Sequence, residues 1–172
     1  MRTTLSACVR LIDASNDHIG RGVAWLTALM VLGTCVVVVL RYAFGIGSIA
    51  LQESVTYMHA LVFMLAAAYT LRSDGHVRVD IFYGKWPDTR KHWVNLLGSV
   101  FLLLPFSLFL LIASWGYVAD AWARQEASVE AGGLAYVYLL KTVILVMAGQ
   151  LILAALARAT EAGLKLTGAE HR

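Results

Sequence analysis

Apolar residues gather into four long runs separated by short polar stretches: 22–40 ("GVAWLTALMVLGTCVVVVL"), 51–71, 93–118 and 134–157. A helix of about 20 residues crosses a hydrocarbon core about 30 Å thick, and all four runs reach that length. Inside lipid every backbone N–H and C=O must be paired within the chain, so helices are the predicted form. That requirement overrides the β-branched run Val36 to Val39. The third run is longer than needed, and is predicted to tilt, to kink at Pro105 or to project beyond the lipid. The predicted fold class is an all-α membrane protein with four transmembrane helices in one domain, 1–172.

Before the first run, Leu5, Cys8, Val9 and Ile12 share a helical face, with Arg2, Arg10 and Asp13 elsewhere. This pattern predicts an amphipathic N-terminal segment lying in the membrane interface. Asp13, Asn16, Asp17 and His18 interrupt any apolar core of a cleaved signal peptide.

Composition agrees with a lipid solvent. The chain is 59% hydrophobic and 15% charged, against about 25% charged in ordinary soluble domains. A net charge of +3 without a basic run gives no nucleic-acid footprint. Placement of charge is more informative. Arg2, Arg10, Arg21, the loop cations Arg72, Arg78, Lys85, Arg90 and Lys91, and the tail cations Arg158, Lys165 and Arg172 fall on one side of a four-span chain. Arg41, Arg124 and Lys141 fall on the other. The positive-inside rule then places both termini and the middle loop in the cytoplasm. Trp25, Trp86, Trp93, Trp115 and Trp122 lie near span ends, as an aromatic belt requires.

Few residues carry candidate chemistry. There is no phosphate loop, nucleophile triad or HExxH, and Cys8 and Cys35 lack metal-ligand spacing. The reading is therefore of a protein that is not an enzyme and holds no cofactor or metal. Glu53, near the start of the second span, is expected to pair with Arg41 or with Lys141, which share its depth. His59 continues a polar line with Gln52 and Thr56 at helical spacing and is expected to bond across to a neighbouring helix. A haem anchor would need a second intramembrane histidine. Gln150, Ser99, Ser107 and Ser114 are expected to donate hydrogen bonds between helices, and small residues such as Gly33 and Ala155 to form packing seams. Arg72 suits the inner end of the second span. In "HVRVD" (76–80), His76, Arg78 and Asp80 alternate with valines, which predicts a cytoplasmic elbow with Val77, Val79, Ile81 and Phe82 dipping into the interface.

Several of these stretches, taken in order, resemble the small membrane subunit of tripartite ATP-independent periplasmic (TRAP) transporters. "RYAFG" at 41–45 is similar to the close of that family's first span. "LQESVTY" at 51–57 is similar to its acidic entry to the second, with Glu53 on the second acidic position and Gln52 replacing the first. "AAAYTLRSDGHVRVDIF" at 66–82 resembles its small-residue run followed by Arg and His-x-Arg-Val-Asp, and Ser128 falls where members often have serine. The resemblance implies a non-catalytic scaffold in the bacterial inner membrane. Its partners would be a large permease subunit, a periplasmic solute-binding protein and membrane lipid, in cation-coupled uptake of organic anions such as carboxylates. Arg124, Glu126 and Glu130 would then face the periplasmic partner. The other readings the residues leave open are a membrane anchor of a redox complex and an independent four-span protein.

Overall fold

The computed structural model describes residues 2–73 and 83–167, with side chains from Ala7 onward. Every regular element among them is helical: α1 (Arg2–Ala43), α2 (Ile49–Leu65), α3 (Ala67–Arg72), α4 (Asp88–Gly98), a π-helical turn (Ser99–Leu103), α5 (Leu104–Ala123) and α6 (Val137–Leu166). Four stretches are long and apolar enough to cross a membrane: Ala7–Ala43, Ile49–Arg72, Asp88–Ala123 and Val137–Leu166. The chain passes back and forth four times, so both ends of the described chain lie together at what we term the tail end. The α1–α2 and α5–α6 connections make the loop end.

α6 is the hub and touches every other element. Its packed positions are mostly small: Ala148, Ala154, Ala155, Ala157 and Ala162 are buried together with Val143 and Leu151. Small side chains let helix backbones approach, and packing is the main attraction available between helices in lipid. The other spans bury little of themselves, and large apolar residues such as Leu32, Phe63, Phe101 and Phe109 stand exposed.

In α1 the expected amphipathic N-terminal segment and the first span are continuous. Together they make one uninterrupted helix of 42 residues, about 63 Å long. The reason is continuity of one face: Ile12, Asn16, Gly20, Val23, Met30, Gly33 and Val37 are each partly or fully buried at spacings of three, four or seven. Packing against α2, α3 and α6 therefore runs from the polar half into the apolar half. Gly20 weakens helix propensity, yet it is required here: a Cβ at that position would enter the Tyr69 ring, with Tyr69 Cβ 2.7 Å away. α1 ends at Ala43, and two residues on Gly45, with a φ of +67°, lets the chain reverse. The Ile46 N–H then reaches back to the Leu40 carbonyl at 2.9 Å.

The third span answers the question raised by Pro105. The helix neither stops nor breaks; it widens into the π turn just before the proline. Pro105 has no N–H, and its ring crowds the carbonyl four residues back. Shifting to five-residue closure, seen in the Leu104 N–H bonding to the Ser99 carbonyl, accommodates both. Beyond it, Ser107 Oγ donates to the Leu103 carbonyl at 2.7 Å, within its own helix rather than across to another as expected. The Gln150 amide, buried in α6, likewise has no hydrogen-bond partner among the described residues.

At the tail end, Arg72 reaches across to α1, with Asp13 at 3.5 Å and Asp17 in direct ion-pair contact. Arg158 of α6 donates to the Leu71 carbonyl at 2.8 Å, satisfying a group left open where α3 ends. The Arg72 side chain keeps 38% of its surface exposed, so solvent screens the pair. Arg72→Met should therefore lower stability by only about 1 kcal/mol, or about 2–4 °C in the melting midpoint in detergent. The difference between wild type and variant should shrink as salt is raised.

Candidate functional site

The built site is at the loop end, where Glu53 holds the α5–α6 connection. Ser48 caps α2, its hydroxyl accepting from the Leu51 N–H at 3.3 Å, so the helix starts just before Glu53 and presents it toward the loop. One Glu53 carboxylate oxygen accepts the Ser128 hydroxyl. The other accepts the Leu134 N–H at 2.6 Å. Ser128 Oγ in turn accepts the Glu130 N–H at 3.1 Å, and the Ser128 N–H donates to the Leu134 carbonyl at 2.9 Å. A single carboxylate thus clasps two points of the loop, using charge-assisted bonds stronger than neutral ones. Gly133 fits only because it lacks a side chain: a Cβ there would lie 2.6 Å from Ser128 Cβ and 2.8 Å from Glu53 Oε1.

A second tie runs parallel. Lys141 Nζ sits 2.7 and 2.6 Å from the two Glu126 carboxylate oxygens and 3.9 Å from the centroid of the Tyr117 ring. Only 14% of the Lys141 side chain is exposed, so the cation is held between a carboxylate and an aromatic face. Trp122 Nε1 donates to Thr142 Oγ1 at 2.8 Å, and its ring meets Tyr138 edge-on at 4.8 Å between centroids. What remains at the surface is the loop tip: Val129 is 99% exposed, Glu130 is exposed, and Arg124 pairs only loosely with Asp120 at 3.8 Å.

These contacts correct the expected pairing. Glu53 meets neither Arg41 nor Lys141. Arg41 is exposed and makes no ion pair among the described residues, because its helix ends just before the reversal at Gly45. Lys141 has its own acid, Glu126, delivered by the loop. The structure brings Glu53 and Ser128 together and sets Lys141 beside them on a separate tie. Arg72 lies at the opposite end, on Asp13 and Asp17. His59 is exposed on α2 and makes no hydrogen bond to a neighbouring helix among the described residues. His76, Arg78 and Asp80, with the whole expected elbow, lie outside the described residues. Two features are not marked by any motif in the sequence: Gly133 as a spacing element, and Asp13 and Asp17 as partners of Arg72. The four-residue spacing of the two aspartates on α1 was the available signal. Among the described residues, no group of three or more His, Cys, Asp or Glu could hold a metal ion.

Comparison with known proteins assigns the family. A family model, "Tripartite ATP-independent periplasmic transporters, DctQ component", matches residues 30–162. The C4-dicarboxylate TRAP transporter small permease protein DctQ of Vibrio cholerae serotype O1 is 30% identical over 95 residues, which is 55% of this chain and 40% of that protein. The aligned region thus spans less than half of that relative's length. No solved structure matches the chain. The family match covers the end of the first span, the second and third spans whole and most of the fourth, including Glu53, Ser128, Gly133 and Lys141, and with it the chain belongs to the DctQ family of small permease subunits of tripartite ATP-independent periplasmic transporters, as a multi-pass membrane protein.

Proposed function

We propose that this protein is the non-catalytic scaffold of a bacterial inner-membrane transporter. It holds a large permease subunit and helps to dock a periplasmic solute-binding protein during cation-coupled uptake of organic anions. The relative's name, C4-dicarboxylate transporter, supports carboxylates as the cargo class. The tail end, rich in Lys and Arg, faces the cytoplasm with both termini, and the loop end faces the periplasm. The chain forms one four-helix domain.

The clasp on the α5–α6 loop carries this reading. A carboxylate at the head of a membrane span, spent on ordering a water-facing loop, makes a fixed platform for a partner. The exposed tip carries charges of mixed sign, which suit steering and register more than tight binding. Reconstitution with the large subunit tests the role: uptake should require both this chain and the binding protein. Uptake that proceeds equally well without this chain would remove the scaffold role. Orientation is tested by a membrane-impermeant maleimide on intact spheroplasts. A Val129→Cys variant should be labelled while native Cys8, also exposed, should not, and the reverse pattern would invert the topology.

A further inference from the structure

The polar line on α2 points out of the bundle. Gln52, Thr56 and His59 are all exposed, and Phe63 continues the line with 71% of its surface open. Spacings of four, three and four keep these residues within one narrow strip of the helix. The packed side of α2 lies elsewhere: a Cβ on Gly33 of α1 would meet Val55 at 3.1 Å and Met58 at 3.7 Å. Within the strip, only Thr56 is satisfied by its own helix, through the Gln52 carbonyl at 3.3 Å. The Gln52 amide and the His59 imidazole make no hydrogen bond among the described residues.

Depth makes this arrangement informative. His59 lies near the middle of the span Ile49–Arg72, about 15 Å along the helix from its start. A lipid-facing imidazole at that depth forfeits its hydrogen bonds, because hydrocarbon offers no partner. Polar side chains in membrane helices almost always face a protein interior. The conflict disappears if the outside of this chain is the inside of a larger assembly.

We infer that the Gln52–Thr56–His59–Phe63 strip seats a transmembrane helix of the large permease subunit, which supplies hydrogen-bonding groups to Gln52 and His59. This rests on the scaffold reading above. The occupant would carry a hydroxyl, carboxamide or carboxyl group opposite each, about 10 Å apart along the axis. The strip begins at the residue next to Glu53, so a helix seated there stands beside the clasped loop. The membrane partner and the periplasmic docking platform would then adjoin.

The test uses this chain co-expressed with the large subunit. Gln52→Leu and His59→Leu together should leave the chain's recovery and melting midpoint in detergent unchanged, since both side chains are exposed and neither makes a hydrogen bond among the described residues. Co-purification of the large subunit should fall at least roughly tenfold, and His59→Gln should retain much of it. Thr34→Leu is the control: Thr34 is an exposed polar residue of α1 that bonds its own helix, at Met30, at 2.8 Å. In a background with Cys8 and Cys35 replaced by alanine, Thr56→Cys should crosslink to the large subunit. If wild type retains the large subunit and the double variant retains as much, the strip is not the seat and the scaffold reading stands. If wild type retains none, the scaffold reading fails and this inference with it. A Thr56→Cys crosslink between two copies of this chain would make a second copy the occupant and overturn the assignment.

Discussion

Glu53→Ala should reduce binding-protein-dependent uptake at least roughly tenfold, because two charge-assisted hydrogen bonds are lost at once. The four helices should remain assembled. Under the scaffold reading substrate preference should not change, since the clasp orders a loop. Without the carboxylate, the Leu134 N–H and the Ser128 hydroxyl lose their acceptors. The loop keeps its internal tie from Ser128 to Leu134 and the Lys141–Glu126 pair, so it should loosen without unfolding. Glu53→Gln should be intermediate. Its amide oxygen can still accept from Leu134, but its NH2 faces Ser128 as a donor, and the serine hydroxyl proton loses the acceptor it had. Gly133→Ala reaches the same result by another route, since the added methyl falls on Ser128 and Glu53. Uptake of a labelled carboxylate into proteoliposomes, with and without binding protein, measures all three. If Gly133→Ala is fully active while Glu53→Ala is not, Glu53 acts through its charge and not by holding the loop. A shifted substrate preference in Glu53→Ala would count against the scaffold role.

The largest stability effect should come from Gly20→Leu. The site lies where α1 crosses α3, with Gly20 buried against the Tyr69 ring and Ala68 only 1% exposed beside it. Even one methyl has no room, and overpacking a tight contact costs about 1–3 kcal/mol, with leucine toward or beyond the upper end. Helix propensity runs the other way, because glycine is about 1 kcal/mol worse than alanine in a helix interior. Gly20→Ala should therefore lose less than its clash alone implies, and Gly20→Leu should separate the helices. Thermal unfolding in detergent, scored as a double-mutant cycle with Tyr69→Ala, isolates the contact. Tyr69→Ala should recover most of the Gly20→Ala loss. No recovery would mean that the glycine serves α1 itself and not the crossing.

The apolar runs made the four spans legible, because length and composition alone decide whether a helix can cross lipid. The ends were less so. α1 and α6 extend well beyond their apolar runs, to Arg2 and Leu166, since in water a helix is marked by a stripe and not by a run. Pro105 signalled an irregularity, but its form, a widened turn, depends on how the Ser99 carbonyl is paired. Glu53 stood out as an acid at a span end. Its partners did not, because Ser128 and Leu134 lie 75 and 81 residues away and one of them is a backbone N–H. Depth alone sets Glu53 beside the nearest cations, but the loop brings its own acid, Glu126, to Lys141. For His59 the spacing sets it in one strip with Gln52 and Thr56, and that strip is exposed on α2. Periodicity says which residues share a face, but only the position of neighbouring helices says where that face points.

The unbroken α1 also transmits rotation. Each residue turns the helix by about 100°, and one stripe serves both the polar half, held by Arg72 at Asp13 and Asp17, and the apolar half, where Gly33 faces Val55. The angular setting at the aqueous end thus dictates which side of α1 meets lipid some 30 Å away. Single insertions or deletions near Gly22 would rotate the whole distal segment out of phase. Changes in the length of this helix are tolerable only in steps that restore the same azimuth, as between the teeth of a gear.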